Sequence, residues 1–305
     1  MKTRSNYLYK MLGAGLVALL ILPSCKKQSI VSPTFDVSVA KTTFAVGEPI
    51  TFDFSGTADV VQFYSGAAGA EYKFKDRVTV AGKPNIQFTT FREVPANTQT
   101  GTLSLLVSKD FANMLNAEDI QKATWVDLSS RVTFSTGTNN TASGVVDLSD
   151  QLTGNATVNI AFRYTAAKNA TIAQPKWTIN NVTVNNVLTD GSIVPITTGA
   201  SMGWGAFSIL GAQTWSLATI TTPVFTGGAA NADANEDWII SLPVQLDRAQ
   251  RVYGTSVKVS PTTKLANYVF AGYTAPGTYT ASFEVFNANK WDMKTVVKEI
   301  TITVK

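Results

Sequence analysis

Chemistry in this chain has to be built from carboxylates and aromatic rings. The 305 residues include no histidine and a single cysteine, Cys25. Without histidine the commonest general base and metal ligand is missing, which excludes Ser-His-Asp, Cys-His and His-ligated zinc arrangements. One thiol excludes an intramolecular disulfide, a CxxC redox pair and a thiolate metal cluster. Three carboxylate pairs are close in sequence: Asp147/Asp150, Glu118/Asp119 and Glu236/Asp237. Two carboxyls hydrolyse a glycoside when they stand about 5–10 Å apart and one stays protonated. Each pair has an ordinary alternative: Asp147 and Asp150 flank a strand end in VDLSD, and Glu118/Asp119 suit the first turn of a helix capped by Asn116. No catalytic residue is assigned, and the chain is read as a non-enzyme.

Asn231, Asp233, Asn235 and Asp237 place oxygen donors at alternate positions, as a calcium loop does. An EF-hand needs glycine at the sixth position and glutamate at the twelfth, where this chain has Glu236 and Leu242. A polar loop is preferred to a structural Ca²⁺, and no metal or other cofactor is assigned. The NxT triplets at Asn139, Asn155, Asn169 and Asn181 read as Thr/Asn-rich strand and turn composition.

The tryptophans are the strongest lead. Trp125, Trp177 and Trp238 lie in apolar contexts (ATWV, WTI, DWII) and read as core. Trp204 is flanked by glycines in SMGWGAF, Trp215 follows in AQTWS, and Trp291 falls in the loop of the last hairpin. Loops at one end of a sandwich can present rings, and the apolar C–H face of a sugar stacks on tryptophan. Trp204, Trp215 and Trp291 are therefore the candidate ligand-binding residues. The competing reading tucks Trp204 and Trp215 under the sandwich as end plugs.

The elements that must position these rings are strands. Only 15% of residues are charged and 45% are hydrophobic, which argues against disorder. Ile50, Phe52 and Phe54 alternate with polar residues, as do Tyr279, Ala281, Phe283 and Val285, and Ile300, Ile302 and Val304. Neither end has enough strands for a sandwich by itself, so residues 35–72 and 250–305 are expected to form one discontinuous domain. Residues 78–248, with six or more candidate strands, are expected to form an inserted jelly-roll-like sandwich. The fold class is all-β.

The first 24 residues read as a leader. Lys2, Arg4 and Lys10 precede the apolar run Met11–Leu22, which is too short to span a bilayer. Leu22-Pro23-Ser24-Cys25 resembles a bacterial lipobox, which implies cleavage before Cys25 and lipid attachment to its thiol. Residues 25–34 then form a tether. Loss of the leader's three basic residues leaves 22 Lys+Arg against 21 Asp+Glu. No basic block remains to track a phosphate backbone, so nucleic acid is not an expected partner.

VGEPITFDFSG (46–56) and YTAPGTYTASFEVFNANK (273–290) resemble the opening and closing strands of a PKD-type Ig-like domain, without that family's W-x-F-G-D-G turn. The ensemble VVQFYSG, ATWVDLSSR, IAFRYT, WTINNVTV, DWIIS and KEITITV resembles Bacteroidota lipoproteins labelled domain of unknown function 5017. ATWVDLSSR and DWIIS also resemble choice-of-anchor jelly rolls of surface adhesins. These resemblances imply an extracytoplasmic β-protein and supply no catalytic residues. They imply outer-membrane anchoring, with cell-surface and periplasmic orientation both open. The leading functional expectation is non-catalytic glycan binding for nutrient uptake. A structural or adhesive role with an envelope protein partner ranks second, and a carboxylate-based glycoside hydrolase third.

Overall fold

The computed structural model describes residues 29–93 and 98–305. The leader, Cys25 and the first residues of the tether lie outside the described residues. Those described form twenty strands and one α-helix, in two compact units. One unit runs up to Lys75 and resumes from Val252 to Lys305; the other is Asp76–Arg251. Among the described residues no helix is long and apolar enough to cross a membrane.

The first unit pairs a three-stranded sheet with a five-stranded one. The smaller has the order β1 (Asp36–Ser38), β3 (Ile50–Ser55), β18 (Asn267–Phe270). The larger has the order β17 (Thr255–Lys258), β4 (Val60–Tyr64), β19 (Gly277–Ala288), β20 (Met293–Val304), β2 (Thr43–Phe44). Alternation along β3 and β19 sends Phe52 and Phe283 into the same core, with ring centroids 5.0 Å apart and Phe63 within 5.5 Å of both. Ile50, Val285 and Ile302 complete its fully buried centre. The chain leaves β4 through Gly66 at φ +77°, where a Cβ would stand 2.3 Å from the Thr280 carbonyl oxygen. Only glycine meets both demands.

The second unit is a sandwich of two antiparallel sheets. One has the order β13 (Gly205–Leu210), β15 (Asn235–Ile240), β10 (Thr157–Ala166), β6 (Leu103–Ser108), β7 (Val126–Asp127). The other has the order β12 (Ile193–Thr198), β11 (Lys176–Val187), β5 (Lys83–Glu93), β8 (Thr141–Ala142), with β14 (Val224–Phe225) also on β11 and β9 (Val146–Asp147) also on β5. Leu105, Ile160, Phe162, Ile239, Ile86, Ile179 and Val184 meet between them.

The two outward faces differ. The β13-containing sheet is apolar outside as well, at Leu106, Ala161, Trp238 and Ile240, and packs against Phe111, Trp125 and the helix α1 (Ala117–Lys122) through Ile120. Asn116 caps that helix by accepting from the Asp119 N–H at 2.9 Å. The β11-containing sheet is polar outside, where β5 and β11 alternate core residues with Thr, Asn and Gln.

Candidate functional site

Trp204 and Trp215 do not form an exposed stacking platform; their burial matches the competing reading, in which both rings tuck inside the sandwich. Trp204 and Trp215 are 7% and 3% exposed and belong to the core between the sheets of the second unit. Trp204 packs 5.9 Å from Phe162, and Trp215 packs 5.5 Å from Phe225 and donates its indole N–H to the Asp237 carbonyl at 3.4 Å. A sugar needs an open ring face, and neither tryptophan offers one. The glycines around Trp204 explain the difference. A Cβ on Gly203 would stand 2.6 Å from Leu242 Cδ1, and one on Gly205 2.2 Å from Leu115 Cδ1. They let Leu242 and Leu115 approach the backbone on either side of Trp204. Trp291 is 37% exposed, in the first unit, on the β19–β20 turn.

The carboxylate pairs take up local work. Asp150 accepts two hydrogen bonds from Arg131, at 2.7 and 3.0 Å, and that guanidinium holds its carboxyl below the usual range. Asp147 is held low by the Ser149 hydroxyl and backbone N–H. Both are thus ionised at neutral pH, and neither is set up as a proton donor. Glu118 and Asp119 occupy the first turn of α1. Glu236 and Asp237 are neighbours on β15 and therefore point to opposite faces. Glu236 accepts from the Trp238 indole at 3.1 Å on the outer face.

Asp237 faces inward. It is fully buried, and neither carboxylate oxygen meets a donor at hydrogen-bonding geometry. Burial pushes its carboxyl up to about 6, partly offset by the Ser208 hydroxyl across the ladder, with a small further rise from Glu236. The Tyr164 hydroxyl, opposite it on β10, is pushed up by burial and then by the Asp237 charge. The alternate oxygen donors of 231–237 do not converge: Asp233 pairs with Lys168 at 2.8 Å, and the Asn235 amide donates to Gln174 Oε1 at 2.5 Å. Asn155 and Asn169, two of the NxT asparagines, accept backbone N–H bonds two residues on and so shape turns.

The feature with open polar chemistry is the outer face of β5, β11 and β12. Register puts Thr178 opposite Phe91, Asn180 opposite Thr89, Thr183 opposite Gln87, and Thr198 beside Thr183. Charges stand only toward the ends, in the Lys176–Glu93 pair at one and Lys83 and Asp147 at the other. A register shift between Asn180 and Thr183 makes a bulge, with Asn181 at φ +54°. The bulge opens a pocket of about 270 Å³ lined by Asn180, Asn181, Thr183, Thr198, Thr221 and Thr222 with small residues between. Thr198 also borders a groove of about 610 Å³ with Ser201, Gln245, Arg248, Met202 and Leu242. Among the described residues the side chains of Asn180 and Thr183 have no hydrogen-bond partner, so both are free to bond a ligand.

Sequence reasoning missed this face. WTINNVTVNNV carries the signal, since its polar positions between Trp177, Ile179, Val182 and Val184 are uncharged amides and hydroxyls. Nothing in the sequence located the bulge that gathers them.

Sheet order and core packing together define an all-β protein of the sandwich class. The chain belongs to the family described as domain of unknown function (DUF5017), whose sequence model matches residues 24–204. No curated protein matches it.

Proposed function

We propose that the protein is a non-catalytic lipoprotein of the outer membrane, acylated at Cys25, that captures neutral glycan on the Asn/Thr face of its second unit. The observation that carries the reading is the uncharged pocket at the β11 bulge. An amide both donates and accepts, as does a hydroxyl. Asn180, Thr183 and Thr198 thus match the paired donor and acceptor character of vicinal sugar hydroxyls without imposing a charge. Half-buried Phe91 adds an apolar strip on the same face.

Each such hydrogen bond contributes about 0.5–1.5 kcal/mol net. Three or four, without a stacking ring, support a dissociation constant on the order of 1 mM per site. Firm capture then comes from repeated units of a polysaccharide meeting many anchored copies. Anchoring is supported by Leu22-Pro23-Ser24-Cys25 after the apolar run. Two or three acyl chains hold durably where one does not.

The test is isothermal titration of the mature protein with neutral and acidic polysaccharides. Heat with a neutral polymer, lost in Asn180→Ala/Thr183→Ala and kept in Trp291→Ala, supports the reading. No heat from the wild type with any polymer defeats it.

A further inference from the structure

One end of the first unit combines an exposed ring, cations and the incoming chain. The β19–β20 hairpin turns through Asn289–Asp292, where Asn289 Oδ1 accepts the N–H groups of Trp291 and Asp292 at 2.8 and 3.0 Å. The turn thereby holds out Trp291, with Lys290 Nζ 4.2 Å from its ring centroid, and Met293, which is 58% exposed. Just below, Asn287 pairs in register with Lys294 and donates its amide to the Val31 carbonyl at 2.9 Å. Asn287 also borders a cavity that Lys258 and Lys264 line. Lysines outnumber the nearby Asp59 and Asp292.

We propose that this end of the first unit rests on the bilayer, with Trp291 and Met293 in the headgroup region and Lys264, Lys290 and Lys294 facing lipid phosphates. The inference rests on the acylation of Cys25. Val31 is six residue steps on from Cys25, a reach of at most about 22 Å. Val31 is fastened one residue pair from Met293, whereas β19 carries the sheet about 33 Å further to Gly277. A lipid at Cys25 therefore keeps the hairpin turn, not the far end of the strands, at the membrane. Tryptophan suits that depth because its ring is apolar and its N–H needs a polar partner, and lysine extends its amine toward phosphate from an apolar stem. The same lysines are drawn to anionic lipid over a distance that salt shortens.

The full mature protein is reconstituted in phosphatidylcholine vesicles containing anionic phosphatidylglycerol and bromine-labelled acyl chains, and tryptophan quenching is read. Mass spectrometry of the same sample reports Cys25. The expected result is an acylated wild type with a quenched fraction that Trp291→Phe removes, with the melting curve unchanged. Acylated protein whose quenching is absent, or identical in Trp291→Phe, overturns the placement and leaves the anchor standing. An unmodified Cys25 overturns both.

Discussion

Replacing Asp237 by asparagine should stabilise the second unit at neutral pH and remove a pH dependence that the wild type shows. The carboxyl is fully buried with no donor at hydrogen-bonding geometry, and burial, partly offset by the Ser208 hydroxyl, lifts its pKa from 3.8 to about 6. That rise is worth up to about 3 kcal/mol. In the unfolded chain the proton is lost near pH 3.8; in the folded chain it is kept until about 6. Below the lower value both states hold it and no ionisation cost arises. Between the two, the native state binds the extra proton, so the unfolding free energy falls as pH rises, and the full loss is reached above 6. With no histidine in the chain, no imidazole titrates in that window. Asp147 and Asp150, held low by Ser149 and Arg131, act in the opposite sense and only at more acid pH. Five of the six tryptophans lie in Asp76–Arg251, so intrinsic fluorescence in urea follows this unit. Wild-type stability should drop by about 2 kcal/mol from pH 4.5 to 7.5, the part of the loss that falls above pH 4.5, while Asp237→Asn stays level. A wild-type curve flat over that range, or the same slope in both proteins, refutes the reasoning.

Other substitutions separate packing from binding. Trp204→Ala and Trp215→Ala each empty a large core site and should cost about 3–5 kcal/mol in thermal or urea unfolding. A loss below about 1 kcal/mol would show that the rings are not in the core. Asp150→Asn removes an exposed ion pair and should cost no more than about 1 kcal/mol; a larger loss in urea titration would contradict its surface role. Gly66→Ala meets both a left-handed backbone and the Thr280 carbonyl, so its melting temperature should fall well below that of Gly69→Ala, which has the same backbone but open space around it.

The all-β class was legible because period two is strong wherever one face of a strand is buried. Ile50, Phe52, Ala281 and Phe283 all point inward as their alternation requires. The short helix was legible from Asn116 and its acidic first turn, since capping is local. The sequence left Trp204 open between display and a buried plug because glycine has two uses that look alike in sequence: it opens a loop, and it lets neighbours approach. Leu115 and Leu242, distant in the chain, decide between them. Asp237 looked like half of an acidic pair until β15 placed Glu236 on its other face. The Asn/Thr face was hidden for a related reason. Polar strand positions have the same composition whether they merely meet water or line a pocket, and the difference lies in a bulge set by pairing with β5.

The central claim is that glycan meets the outer face of β5, β11 and β12. Amide chemical-shift mapping during titration with a neutral polysaccharide tests it residue by residue. The account predicts saturable shifts that cluster at Thr89, Asn180, Asn181, Thr183 and Thr198, and that vanish in Asn180→Ala/Thr183→Ala. Saturable shifts confined to other surfaces, or no shifts at polymer concentrations well above the millimolar range, would contradict it.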